Sequence, residues 1–172
     1  MSIIPLVQIN KFQFLNEELL LKKPCDIVTD FGEEFQEIVN NLLETFRSHK
    51  IAVGLAAPQI GIYVKLAVIN ISKDKLEPDI IVVNPTIISS GGKKDKKNES
   101  CMSLPNYAGE VERRSKISIS YQDKFGEFKK LDAEGFLARV LFHEIDHLEG
   151  ILYIDRMKDL STLKVTDIFK YD

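Results

Sequence analysis

Residues 143–147 read His-Glu-Ile-Asp-His, and this pattern constrains the chain more than any other feature of its sequence. Side chains four positions apart lie one above the other on an α-helix, because about 3.6 residues complete a turn. The imidazoles of His143 and His147 can therefore converge on one metal ion, with Glu144 beside it. The chain has 3 histidines, so two of them at this spacing favour a metal centre over a solvated helix face.

The flanking residues predict a buried helix over 134–149. Its apolar side chains surround most of the helix circumference; they are Leu137, Val140, Leu141, Phe142, Ile145 and Leu148. Gly150 is a typical residue for the end of such a helix. Polar groups inside a buried helix need partners, because unpaired ones are costly. A bound metal would supply that partner.

A catalytic zinc-type site usually has three protein ligands, so a third ligand is needed. Proteases with the extended HExxHxxGxxH pattern carry a histidine where this chain has Tyr153, and Glu149 is the one glutamate after His147. The upstream candidate is Cys101, because a thiolate binds zinc or ferrous iron well. Cys25 is interpreted as a small buried hydrophobic residue, and Cys101 taken alone would be interpreted in the same way.

A third motif, Ala-Val-Gly-Leu-Ala-Ala-Pro-Gln-Ile-Gly, occupies residues 52–61. Small residues at this density let the backbone approach another group closely, and Gln59 offers an amide where the chain turns. Taken alone, this segment is equally compatible with a tight crossing between a helix and a strand.

Together, the segments 54–59, 99–103 and 143–147 resemble the motifs of peptide deformylase, the enzyme that removes the N-formyl group from new bacterial polypeptides. The resemblance extends over roughly residues 30 to 160. It implies that Cys101, His143 and His147 bind the metal, and that Glu144 is the general acid and base. It further implies that Gln59 and the backbone N–H of Met102 stabilise the oxyanion, while the substrate contacts Val53, Gly54 and Ser100.

The chain departs from the family pattern at several positions. Residues that differ from those usual in the family are Ala52, Ser100, Met102, Ala108 and Phe142. None of these changes removes an implied ligand or the implied acid/base. They bear on substrate preference and turnover. At position 142, for example, the family usually carries glutamine where this chain has Phe142.

The resemblance implies an α+β fold in which strands and hairpins surround the central helix that carries residues 143–147. A chain of 172 residues with 44% hydrophobic content suits one domain, 1–172. A helix is predicted from a capping box of Asp30 and Glu33 to about His49. A hairpin is predicted from strands at Ile117–Tyr121 and Glu127–Leu131, and a short terminal helix is considered for 159–170.

Charge and targeting signals indicate a cytoplasmic protein without a general affinity for nucleic acid or membrane. The formal net charge is −3, there are 2 cysteines, and the N-terminus lacks a basic region followed by an apolar run. The lysine-rich run 93–97 is predicted to be a solvated loop, with transient ribosome contact as the alternative.

The function implied is metal-dependent hydrolysis of the formyl amide of N-formyl-methionyl peptides. The resemblance favours Fe²⁺ as the metal in the cell, with Zn²⁺ or Ni²⁺ in purified protein, since a Cys/His/His set suits all three. Two alternatives stay open. One is a catalytically weak deformylase-like protein that binds metal or formyl-peptide, and the other is an HExxH endopeptidase.

Overall fold

The computed structural model describes residues 2–9, 20–72 and 77–166. Two α-helices lie among them, α1 at Glu33–Ser48 and α2 at Gly135–Leu148. The strands are β1 (Gly54–Ala56), β2 (Leu66–Ile69), β3 (Ile80–Cys101), β4 (Leu104–Gln122), β5 (Phe128–Glu134) and β6 (Lys164–Val165). Short 3₁₀ turns cover Ala57–Ile60, Tyr153–Arg156 and Leu160–Thr162. Within the described residues, no helix combines the length and apolar content that a membrane crossing requires.

The strands form one antiparallel sheet in the order β1-β2-β3-β4-β5, with β6 paired to β4. This mixture of antiparallel sheet and separate helices confirms the predicted α+β class. The helix α1 packs on the β1–β2 end of the sheet through a buried apolar cluster that includes Phe35, Val39 and Phe46. The helix α2 packs against a second cluster that includes Ile69, Ile117 and Leu141.

The predicted hairpin is confirmed, because β4 and β5 pair from Gln122↔Phe128 to Lys116↔Glu134. The predicted loop at 93–97 is wrong. These residues belong to β3, which pairs with β4 as far as Ser100↔Ala108. The four lysines of this run are exposed, so their charge conceals the strand pattern.

Two smaller predictions also differ from the structure. Helix α1 is capped at Gly32 without a side-chain hydrogen bond, and Asp30 accepts from the Gly32 N–H instead, so the capping box is absent. Residues 159–166 form a 3₁₀ turn and β6 rather than a terminal helix. Residues 167–170 lie outside the described residues.

Candidate metal centre and active site

The helix α2 presents both histidines of the pattern on one face, as the four-residue spacing predicts. The ring centroids of His143 and His147 are 4.9 Å apart. The helix follows β5 directly and ends where Gly150 adopts a φ of +70°, a left-handed conformation that glycine adopts without strain. It therefore lies at a fixed position against the sheet, with His147 fully buried and His143 nearly so.

Cys101 joins these histidines because it is the last residue of β3, at the tight turn that leads into β4. Its Sγ lies 3.3 Å from Nε2 of His147. Ligand atoms of Cys101, His143 and His147 all lie within 4.8 Å of one another. Cys101 and His147 are 46 residues apart along the chain, so the fold brings these three side chains together.

The electrostatics of this cluster suit a metal cation. Burial alone would raise the pKa of Cys101, but the neighbouring His147 and His143 outweigh it and hold the pKa well below its usual value. Burial would lower the pKa of His143, but hydrogen bonds with Cys101 and Glu99 raise it well above its usual value. A thiolate beside two imidazoles is a donor set that zinc and ferrous iron accept. The residues therefore fit a divalent transition metal.

Glu99 is a hydrogen-bond partner of the His143 ring. Its Oε2 lies 3.1 Å from Nδ1 of His143, while Arg113 donates to both of its carboxylate oxygens at 2.7 and 2.9 Å. Burial would raise the pKa of Glu99, but hydrogen bonds from Arg113 and His143 lower it to about 2. A carboxylate that accepts from Nδ1 leaves Nε2 of His143 as the free ligand nitrogen and fixes the orientation of the ring.

Arg113 also binds Asp146, which precedes the second histidine of the pattern. Its Nη1 donates to Asp146 at 2.7 Å, and Asp146 also accepts from Arg156 at 2.6 Å. Arg113, Glu99 and Asp146 are all buried. The two buried carboxylates are therefore paired, which avoids the large cost of burying an isolated charge.

Glu144 lies beside the Cys/His/His cluster without a pairing partner of its own. It is buried, and its Oε2 has no hydrogen-bond partner among the described residues. Burial raises its pKa to about 7, against the opposing effect of His143 and His147. A carboxyl group with such a pKa can both accept and return a proton near neutral pH.

Gln59 reaches the same place from the 3₁₀ turn after β1. Its Oε1 accepts from the Ala56 N–H at 2.9 Å, which orients the amide. Its Nε2 then lies 3.4 Å from Sγ of Cys101 and 3.1 Å from Oγ of Ser103. The amide N–H groups therefore point toward the cluster, as a donor to a developing oxyanion would.

A cavity of about 250 Å³ borders these side chains. The predicted site residues that line it are Val53, Gly54, Gln59, Ser100, Cys101, Met102, His143 and Glu144. His147 lies behind the cavity wall. A Cβ atom on Gly54 would overlap the Glu144 carboxylate, so β1 and α2 can approach this closely only because residue 54 is glycine.

Comparison with known proteins identifies the family of the chain. Residues 9–162 match the sequence model of the family described as polypeptide deformylase. The chain belongs to the polypeptide deformylase family. It is 38% identical over 145 residues to the peptide deformylase of Prochlorococcus marinus strain NATL1A, which covers 84% of this chain and 71% of that relative.

Solved deformylase structures share the fold. The peptide deformylase of Legionella pneumophila superposes with a TM-score of 0.82 at 37% identity, covering 94% of this chain and 89% of that one. The deformylase of Synechococcus elongatus, in complex with actinonin, gives a TM-score of 0.80 at 32% identity, covering 91% and 79%. Deformylases are metal-dependent hydrolases that remove the N-formyl group from nascent polypeptides, and this is the activity of the chain.

Sequence patterns do not identify the supporting side chains. They mark Glu99 only as part of a motif and assign no role to Arg113, Asp146 or Arg156. One signal was available, since Asp146 lies inside the buried pattern and requires a cation. Its partner Arg113 lies 33 residues away on β4, and the packing of α2 against that strand brings the two side chains together.

Proposed function

We propose that Cys101, His143 and His147 hold the catalytic metal and that Glu144 is the general acid and base of deformylation. One observation carries this proposal. The buried Glu144 carboxylate has an oxygen without a hydrogen-bond partner among the described residues, and it lies beside three metal-type donors, two of which line the same cavity. Such a group is otherwise costly to bury, so a catalytic use explains its presence.

Fe²⁺ is proposed as the metal in the cell, with Zn²⁺ or Ni²⁺ able to take its place. When bound, the metal supplies Lewis acidity, which makes a hydroxide nucleophile available near neutral pH. Cys101 and two imidazoles suit ferrous iron as well as zinc, and the preference for iron rests on the resemblance to deformylases. Glu99 and Arg113 hold His143 in the orientation that ligation requires.

Proton transfer is assigned to Glu144. As the formyl carbon is attacked, Glu144 accepts a proton from the attacking water and then returns it to the departing α-amine. The pKa of about 7 allows both steps without a large penalty in either direction. Its burial keeps bulk water away from the transferred proton.

Charge that develops on the formyl oxygen is stabilised by two donors in this proposal. Gln59 contributes its side-chain N–H, already oriented by the Ala56 N–H, and Met102 contributes its backbone N–H. Each such donor is worth about 3 kcal/mol in comparable oxyanion holes. The amide of Gln59 needs little reorganisation, because it already lies 3.4 Å from Cys101.

The peptide substrate is proposed to run along β1. Among the described residues, this strand pairs only with β2, and Val53 and Gly54 line the cavity. An extended peptide can add to such an edge by backbone hydrogen bonds, and Ser100 also lines the cavity. The chain is further proposed to act as one domain, 1–172, in the cytoplasm. The lysines of segment 93–97 are proposed to contact the ribosome transiently.

Hydrolysis of formyl-Met-Ala by freshly prepared ferrous protein tests the proposal, beside a casein digest. We expect the dipeptide to be deformylated and casein to remain intact. Binding of metal without turnover would indicate the weak deformylase-like alternative, and cleavage of casein would indicate an endopeptidase. Activity that decays in air but persists with nickel supports iron, because ferrous iron and Cys101 are both oxidisable.

A further inference from the structure

Arg139 is a buried cation in the wall of the substrate cavity. Its side chain lies on α2 one turn before His143, and only 6% of the residue is exposed. It nevertheless lines the cavity together with Val140 and Phe136. A rise of about 1.5 Å per residue places it about 6 Å along the helix from His143.

The contacts of Arg139 use only part of its hydrogen-bonding capacity. Nη1 donates to Glu99 at 2.7 Å and to the Val111 carbonyl at 3.0 Å, and Nη2 donates to the Asp95 carbonyl at 2.7 Å. A guanidinium has five N–H groups. Among the described residues, the Nε–H and the second N–H of Nη2 have no acceptor.

Arg139 is not required to neutralise Glu99. Arg113 already binds both oxygens of that carboxylate, and His143 contacts it as well. The need to hold Glu99 against His143 therefore does not explain Arg139, a second arginine that lies beside a cavity and has unused N–H groups. N–H groups that no described residue uses, on a side chain that lines a cavity, are available to a ligand that brings an acceptor.

The position of Arg139 fits the side chain of the first residue of the substrate. That side chain begins one atom from the formylated nitrogen, near His143 and Glu144, and a chain of methionine length extends from there. Apolar neighbours such as Val140 and Phe136 would contact its methylene groups, while the guanidinium would face its end.

We propose that Arg139 determines specificity for a first side chain that carries a hydrogen-bond acceptor near its end. Methionine, with a weakly accepting thioether, satisfies this in part. Methionine sulfoxide, whose oxygen is a strong acceptor, satisfies it fully, so the enzyme should deformylate peptides that begin with formyl-methionine sulfoxide. This inference rests on the proposed function, because it concerns the substrate of the same site.

The test compares kcat/KM of metal-loaded enzyme for formyl-norleucyl-Ala, formyl-Met-Ala and formyl-methionine-sulfoxide-Ala. The informative quantity is the ratio of the sulfoxide value to the norleucine value within one preparation. Loss of metal or of folded enzyme lowers both values equally and leaves this ratio unchanged. In the wild-type protein we expect a ratio of one or more, because norleucine offers no acceptor to Arg139.

Arg139→Met replaces the guanidinium with an apolar chain of similar length, and the ratio should fall at least tenfold. The matched control is Arg114→Met, an exposed arginine of β4 that donates to the Gly92 carbonyl, and its ratio should stay at the wild-type value. Arg139→Lys keeps a cation with donors and should keep a higher ratio than Arg139→Met.

A wild-type ratio below one would overturn the proposal, even if Arg139→Met does not fold. An unchanged ratio in Arg139→Met would overturn it as well. Failure of the wild-type protein to hydrolyse formyl-Met-Ala would instead contradict the proposed function itself, so the two failures are distinguishable.

Discussion

Gly54 and Glu144 lie in such close contact that a methyl group on Gly54 would overlap the carboxylate. Glu144 belongs to the helix that carries the two histidines, and Gly54 begins the short edge strand β1. This contact sets the distance between the strand proposed to bind the peptide and the group proposed to move the proton.

Gly54→Ala is expected to displace the Glu144 carboxylate and to lower turnover of formyl-Met-Ala by about a hundredfold, the cost of misplacing a catalytic group by about 1 Å. Metal content should be unchanged, because neither residue is a proposed ligand. The check is kcat together with metal analysis of the purified variant. Gly91→Ala is the matched control, since a Cβ there meets no other atom within 4 Å and activity should be kept. Normal turnover in Gly54→Ala would show that this contact is unimportant.

Glu144→Gln removes the proposed base while it keeps the shape of the side chain. The variant should bind metal as well as the wild type and lose at least about a hundredfold in rate, the usual contribution of a general base. Single-turnover kinetics and metal analysis on one preparation measure both quantities. If the variant retains near-normal turnover, the proton transfer must be assigned to another group.

Phe142 packs partly buried against the cluster beneath α2, with the Arg113 guanidinium 6.0 Å from its ring centroid. Phe142→Gln should therefore lower the free energy of unfolding by about 1 kcal/mol, since an amide replaces apolar contact. For a chain of this size, that corresponds to a fall in Tm of about 2–4 °C. Turnover should not rise, and Phe142→Leu should lose less stability. A faster and equally stable Phe142→Gln would mean that the glutamine usual in the family has a catalytic benefit.

Cys25 provides a test of pH dependence away from the site. Burial raises its pKa from 9.0 to about 11, so alkylation of the folded protein should be slow at pH 8 and should accelerate about tenfold per pH unit toward 11. The folded thiol keeps its proton where the unfolded thiol loses it, so Cys25 makes the folded state less stable as the pH rises from 9 to 11. Peptide mapping by mass spectrometry measures the alkylation. Equal rates in folded and denaturant-unfolded protein would contradict the burial of Cys25.

Local spacing predicts the two helices, whereas Cys101 is assigned to the cluster only by the family resemblance, because it lies 46 residues from His147. The positions of His143 and His147 follow from helical geometry, and the hairpin of β4 and β5 follows from its turn residues. The long pairing of β3 with β4 was missed, because its outer residues are lysines and acids on a solvated strand. Arg113 and Arg139 were missed for a related reason. Their partner Glu99 is distant along the chain, and no local pattern marks a buried ion pair.

The most direct test of the account is the metal content of Cys101→Ala beside that of Cys25→Ala. Both cysteines are buried and free, so the two variants remove similar side chains, but only Cys101 lies within reach of the histidines. We predict that Cys101→Ala loses bound metal and deformylase activity together, while Cys25→Ala keeps both. Equal metal content in the wild type and in Cys101→Ala would contradict the proposed centre.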